Sequence, residues 1–586
     1  MRAAELRTLL AECLRHAPGR TWLLLVLTPL SAVTPGLTAL GLRWIVDGVL
    51  SGSRPLLIGG ALCAATAGAF VLAGGRVIEV QAGLLGGEVG TVLDRRIMRW
   101  CATLPTTAHL EDTESLRRIE QIRGLGPRTV VTGMQSLTVA QSGLWLVVTA
   151  VLLAWVHPVL LVLPLFAVPS MLLTRTAARR TEAARAETAE HNRAEQHLFT
   201  MITEANAAKE LRLGTSGAHA AALARRLREE RTAILWRATL AVGGLNLAGS
   251  LVFVLAFIGA LFLTARLALS GAVSPGALLL VATLGGQIRG QLDLLTNAIT
   301  RSARGLTMVG HYLWLRDLYG TSTSGTVFPP DRLREGITLS GVDFSYGGPP
   351  VLRGIDLHLP AGATVALVGD HGSGKTTLVK LLCGFYRPTA GTVTVDGTPL
   401  TELDPAGWRD RVTAAFQDFS RFPFLAREAV GVGDLPRMRE IERAAEKGGA
   451  AQVFARLPEG EETRLGKALG DGTELSGGQW QKIALSRAFM RSTPLLAVLD
   501  EPTAALDAAA EHEVYQRYAE AAREWQHATG GITLLVSHRF ATIRMADLIV
   551  VLGGGRIVEC GTHAELMDLA GRYARLYDLQ AAAYRS

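Results

Sequence analysis

The sequence predicts an α-helical domain of six membrane spans followed by an α/β domain built around a phosphate-binding loop. Three observations lead there. The longest stretches without Asp, Glu, Lys or Arg all lie in the first half of the 586 residues. A short β-branched apolar run, Thr364 to Val368, feeds Gly369-Asp370-His371-Gly372-Ser373-Gly374-Lys375-Thr376-Thr377 and then the helix-like Leu378 to Leu382. A further apolar run ends in Asp500-Glu501.

The spans come first. Thr21 to Leu42, Pro55 to Gly75 and Ala238 to Ala265 carry no charge, and each has the roughly 20 residues a helix needs to cross hydrocarbon. Thr129 to Thr174 is longer and reads as two spans hinged near Trp155-Val156-His157-Pro158, where proline disfavours continued helix and an aromatic suits the membrane interface. Leu267 to Ile288 supplies the sixth, separated from the fifth by Arg266 and a Gly-Ala-Val-Ser-Pro turn. Six such segments exceed what a soluble core would hide. The first is longer than a signal-peptide core and lacks a small-residue cleavage site.

An even number of crossings puts both ends on one side. Arg2, Arg7, Arg15 and Arg20 precede the first span, whereas the opposite hairpins near Asp47 to Arg54, His157 and Arg266 are short and poor in charge. By the positive-inside bias, both ends and the α/β domain are expected in the cytosol. The net charge of +7 is then mostly topology and not a nucleic-acid footprint. Residues 76–128 and 175–237 are long, charged and helix-compatible. They predict two cytosolic arms, since 25 helical residues reach about 40 Å. The domain limits are expected at 1–320, with a linker over 321–336 and the α/β domain over 337–586.

In the second half, Gly369 to Thr377 fits G-x-x-x-x-G-K-[ST]. Small residues let successive N–H groups curl around phosphates, the lysine reaches the terminal ones and a threonine hydroxyl holds Mg²⁺. Asp500, at the end of a buried strand, would present a carboxylate to the metal, and Glu501 would polarise a water. Leu475-Ser476-Gly477-Gly478-Gln479 lies upstream of that pair. Ser537-His538, after the apolar run Ile532 to Val536, lies downstream.

Leu475 to Gln479 resembles the signature of the ATP-binding cassette (ABC) family, and the resemblance extends over essentially the whole chain, with a membrane domain of the exporter type. It implies ATP and Mg²⁺ as cofactors. Tyr346 would stack on adenine, and Gly369, Asp370, His371, Gly372, Ser373, Gly374, Lys375, Thr376 and Thr377 would cradle the phosphates. Thr376, Gln417 and Asp500 would serve the metal, with Gln417 also touching the attacking water and the membrane part. Glu501 would be the general base, His538 would contact the γ-phosphate, and Asp507 would signal between subunits. Ser476, Gly477, Gly478 and Gln479 would face the nucleotide of another copy, so the resemblance implies a dimer. A homodimer could have two competent sites; a heterodimer with a second half is the alternative. Bends near His109 to Arg118 and Thr203 to Leu213 would be coupling helices docking near Gln417.

Cys13, Cys63, Cys101, Cys383 and Cys560 are scattered and form no C-x-x-C spacing, so reduced thiols are expected and no zinc or haem site. For cargo, Gln141, Asn246, Gln287, Arg289, Gln291 and Asp293 are the polar candidates in or beside spans. Arg289 and Asp293 sit four apart and could satisfy each other on one helix face; Gln141 and Asn246 suit interhelix hydrogen bonds. The segment from Leu475 through Trp480 and Lys482, the Ser537 to Asp547 stretch and the tail Tyr573 to Tyr584 resemble bacterial half-transporters that export modified peptides such as lantibiotics. The expected function is ATP-driven export of a peptide or natural product across the cytoplasmic membrane. An exporter-fold importer, an ATP-gated channel or regulator, and a multidrug or lipid exporter are the alternatives.

Overall fold

The structure, a computed structural model, describes residues 2–124, 126–322, 325–467, 470, 472–501, 508–537 and 543–585. It divides into two compact units: Met1–Arg99 with Arg118–Leu315, and Trp100–Arg117 with Arg316–Ser586.

The first unit is helical throughout. After a short helix, Arg2–His16, long helices stand where the spans are expected: Pro18–Ser31 continuing as Thr34–Ser51, then Arg54–Thr103, Gly126–Val156, Val162–Glu187, Gly217–Leu269 and Gly276–Ser322. Among the described residues, four of them hold an 18-residue window apolar enough to cross a membrane, with mean hydropathy from 1.8 to 2.4. Those windows are only 11% to 33% buried, and Leu72, Leu255 and Phe262 are each at least 70% exposed. Exposed apolar helices of this length suit a hydrocarbon surrounding.

The hinge falls where proline puts it: the third long helix stops at Val156, and a 3-10 turn, Pro158–Leu161, precedes the fourth. The sixth helix corrects the sequence reading. It starts at Gly276 and not at Leu267, because Leu267 to Leu269 continue the fifth helix until Gly271, at φ 75°, and Pro275 turn the chain. Small residues set the closest approach: a Cβ at Gly41 would stand 2.8 Å from the Gly60 carbonyl oxygen, so both glycines let two spans touch along their backbones.

Among the described residues, two of the polar candidates reach neighbouring helices through their side chains. Gln141 donates through Nε2 to Ser31 Oγ at 2.6 Å, joining two spans. Arg289 donates to the Asn246 carbonyl oxygen at 3.4 Å and, among the described residues, forms no ion pair with Asp293. The i,i+4 pairing is therefore not made; the guanidinium reaches across to the fifth helix instead.

The second unit holds two sheets. Strands β1 (Gly336–Phe344), β2 (Leu352–Pro360), β4 (Ala390–Val395) and β5 (Thr398–Pro399) make an antiparallel sheet in the order β2-β1-β4-β5. Strands β3 (Thr364–Gly369), β6 (Val412–Ala415), β7 (Leu496–Asp500), β8 (Ile532–Val536), β9 (Leu548–Gly553) and β10 (Arg556–Gly561) make the larger one, in the order β10-β9-β3-β8-β7-β6. It is parallel except for β10. Every residue of β7 and β8 is buried, as expected for central parallel strands covered on both faces. Residues 100–117 of the first arm also belong to this unit.

Candidate functional site

In an open parallel sheet, ligands sit beyond the carboxyl ends of the strands. The register brings three remote motifs to that edge. Leu367 of β3 is level with Val536 of β8, which is level with Asp500 of β7. The loop after β3, the Asp500-Glu501 pair and Ser537 therefore emerge side by side. Gln417 follows β6, the neighbour of β7, and its Nε2 donates to Glu501 Oε2 at 2.9 Å.

The loop has the shape its glycines permit. Gly369, Gly372 and Gly374 have φ of 154°, 76° and 105°, values that suit glycine, and a Cβ at Gly369 would lie 2.3 Å from the Leu552 carbonyl oxygen. Lys375 opens the helix Lys375–Leu382 and folds back, donating to the carbonyl oxygens of Gly369 at 2.7 Å and Asp370 at 2.9 Å. Burial lowers the pKa of this ammonium, opposed by the nearby Glu501, Asp500 and Asp370 carboxylates. His371 and Thr376 are exposed. The Ser373 hydroxyl is buried without a protein partner, the condition of a group awaiting an oxygen ligand.

Asp500 is buried, and its pKa is raised to about 6, first by loss of water and then by the Glu501 and Asp418 carboxylates. Crowded carboxylates of this kind are relieved by a cation. An exposed threonine hydroxyl, an Asp carboxylate and a Gln side chain are hard oxygen donors that fit Mg²⁺, which keeps few protein ligands and completes its shell with water and phosphate. Glu501 sits at φ 45°, strained for a non-glycine residue, with its N–H donating to the Val536 carbonyl oxygen.

Tyr346 lies beyond the end of β1. Its ring meets Phe344 and Tyr386 edge-on, at 4.8 and 5.3 Å between centroids, and its hydroxyl lies 3.2 Å from Thr377 Oγ1. It is 46% exposed, so ring surface stays open beside the loop. Ser476 and Gln479 cap the helix Gly477–Ala488 reciprocally, Ser476 N–H to Gln479 Oε1 at 2.8 Å and Gln479 N–H to Ser476 Oγ at 3.3 Å. A Cβ on Gly477 or Gly478 would meet nothing within 4 Å. Among the described residues, no hydrogen bond joins this segment to the phosphate loop. Asp507 and His538 lie outside the described residues.

Some site neighbours gave no sequence signal. The arm segment docks through Thr107 N–H to the Phe385 carbonyl oxygen at 3.1 Å, and Lys380 Nζ donates to Glu111 Oε1 at 2.7 Å. Among the described residues, the contact thus falls on the helix after the phosphate loop and the turn that follows it, and not on Gln417 itself; the Phe385 and Phe416 ring centroids, the latter beside Gln417, lie 6.3 Å apart. Lys380 also stands 5.8 Å from the Tyr346 and Tyr386 rings. Trp480 is buried in a domain core with Val430 and Ile483, and Lys482 Nζ donates to Gln452 Oε1 at 2.7 Å. Both positions serve the domain's own packing.

Residues 352–504 match the family model described as ABC transporter. Residues 352–504 therefore form an ABC transporter domain. An ATP-dependent lipid A-core flippase of Ralstonia nicotianae is 42% identical over 258 residues, 43% of this chain and 42% of that protein. A putative multidrug export ATP-binding/permease protein of Bacillus subtilis is 38% identical over 253 residues, 43% of this chain and 42% of its own length. The chain thus spans about half the length of the curated relatives it matches, or somewhat less. The structure of a bacterial Atm1-family ABC exporter with ATP bound superposes with a TM-score of 0.73 at 23% identity, covering 96% of this chain and 98% of that one. The chain has the ABC exporter fold: a helical membrane domain followed by the ABC domain.

Proposed function

We propose that the chain is one half of a dimeric exporter that couples ATP hydrolysis to transport across the cytoplasmic membrane. The observation that carries this reading is the convergence of Lys375, Asp500, Glu501 and Gln417 at one sheet edge, in a chain whose other half is a lipid-compatible helical bundle. The loop amides and Lys375 would bind the phosphates of ATP, and Tyr346 would stack on adenine. Thr376, Asp500 and Gln417 would hold Mg²⁺, which neutralises phosphate charge when bound. Glu501 would accept a proton from the attacking water, which Gln417 helps to orient. His538 would contact the γ-phosphate and Asp507 would signal between the domains.

Ser476, the Gly477 and Gly478 amides and Gln479 would complete the site of a second copy. Their exposed, unoccluded helix start supports this, as does the absence of any described bond to their own loop. ATP held between two domains would favour the closed pair, and hydrolysis would release it. That difference in affinity between two states is the minimum for directed movement. The bend between Ala189–Thr203 and Ala205–Leu213 would carry that movement from the second arm, as the docked residues 104–111 would from the first. Arg2, Arg7, Arg15 and Arg20 before the first span support a cytosolic location for both ends and the ABC domain.

A modified peptide or small natural product is the cargo proposed from the sequence. The names of the relatives favour a second reading, export of a lipid or drug. ATP-dependent accumulation in inside-out vesicles tests both: uptake of a peptide, a fluorescent lipid or a cationic dye that Glu501→Gln abolishes supports transport and sorts the cargo. ATP-independent conductance without accumulation would overturn it in favour of a channel.

A further inference from the structure

Asp370 is an unexpected residue to find in a loop that binds phosphates. Its carboxylate is exposed beside the site and would repel a triphosphate. The carboxyl-terminal helix, Arg572–Arg585, supplies the counter-charge: the Arg572 guanidinium pairs with the Asp370 carboxylate, 202 residues upstream. The approach is built. A Cβ at Gly553 would lie 2.5 Å from Arg572 Nη1, so glycine at the end of β9 leaves the guanidinium its place. The Glu559 carboxylate on β10 accepts the N–H groups of both Arg572 and Tyr573, the latter at 2.9 Å, and so fixes the helix start. The Tyr573 ring is fully buried among Ala366 and Val368 of β3, the strand that leads into the loop, and its hydroxyl lies 2.8 Å from His563 Nδ1. The Asp370 carbonyl oxygen meanwhile accepts from Lys375 Nζ. One residue therefore joins the phosphate lysine to the tail.

We infer that Arg572 is a positioning residue for nucleotide: docked by Tyr573 and Glu559, it neutralises Asp370 and holds the loop open to anions, so that ATP affinity depends on the tail being in place. This rests on the proposed reading of Gly369 to Thr377 as the phosphate site. An ordinary exposed ion pair would contribute little beyond tethering the helix, and the two roles make different predictions.

The test is binding of adenylyl imidodiphosphate, an uncleaved ATP analogue, with Mg²⁺ to the full chain in lipid nanodiscs. Arg572→Ala is expected to weaken binding about tenfold, with the nucleotide-free melting midpoint unchanged and the loss shrinking at high salt. Arg572→Lys should keep affinity within about threefold, since a positive charge remains. Removing the carboxylate as well, in the Arg572→Ala, Asp370→Ala double variant, should recover most of the loss. Unchanged affinity in Arg572→Ala, or a double variant no better than Arg572→Ala, overturns the inference alone. Failure of the unsubstituted chain to bind the analogue overturns the phosphate-site reading and the inference with it.

Discussion

The two halves of this chain face opposite solvents. In the ABC domain the apolar runs are hidden, as in β7 and β8, and polar groups gather at one edge of a sheet. In the helical unit the apolar runs are mostly exposed, and polar groups such as Gln141 turn inward to neighbouring helices. The contrast teaches where each half stores its function. Phosphate chemistry demands particular residues at particular spacings, so the ABC domain declares itself. A bundle in lipid needs only apolarity outside and small or polar contacts inside, which leaves its cargo unmarked.

The comparison breaks most visibly at the proposed catalytic pair, Glu501 and Asp500. Glu501→Gln should retain ATP binding while steady phosphate release falls at least a hundredfold, the usual scale of a lost general base; near-normal release would reassign the base. Asp500 gives the next effect. Because its pKa is raised to about 6, the neutral acid gains as pH falls through that value, and a protonated carboxyl cannot hold a metal. Apparent Mg²⁺ affinity, read from metal-dependent ATPase titrations between pH 5 and 7.5, should fall about tenfold per unit well below pH 6, and Asp500→Asn should lack that step.

Smaller effects sharpen the boundary between transmission and chemistry. Glu111→Gln removes the ionic partner of Lys380 and should cut cargo- or lipid-stimulated ATPase roughly fivefold, on the scale of a typical coupling energy, with nucleotide affinity preserved. Equal loss of basal and stimulated rates would place Glu111 in the hydrolytic machinery instead. Gln141→Leu, between two helices of the bundle, should lower the melting midpoint slightly, reflecting the roughly 0.6 kcal/mol of an interhelix hydrogen bond, and leave ATP affinity untouched.

Much of this was legible in the sequence because it follows from local rules. Gly369, Gly372 and Gly374 announce a turn that only glycine tolerates, and the run before Asp500 announces a buried strand. The hinge at Pro158 follows from the proline. The sixth span begins later than the sequence suggests, because Leu267 to Leu269 are apolar enough for either helix; only the turn at Gly271 and Pro275 decides. Arg572, Glu111, Lys380 and Tyr386 were not legible, since folding and not spacing brings each to the site. Trp480 illustrates the converse: a residue of the segment that resembles peptide exporters fills a domain core.

The central claim is that ATP is consumed at a seam between two copies. Phosphate release from chains in lipid nanodiscs sorted to hold one copy or two tests it most directly. Turnover is expected from the two-copy discs and none above background from the one-copy discs; equal turnover per chain in both would contradict the account.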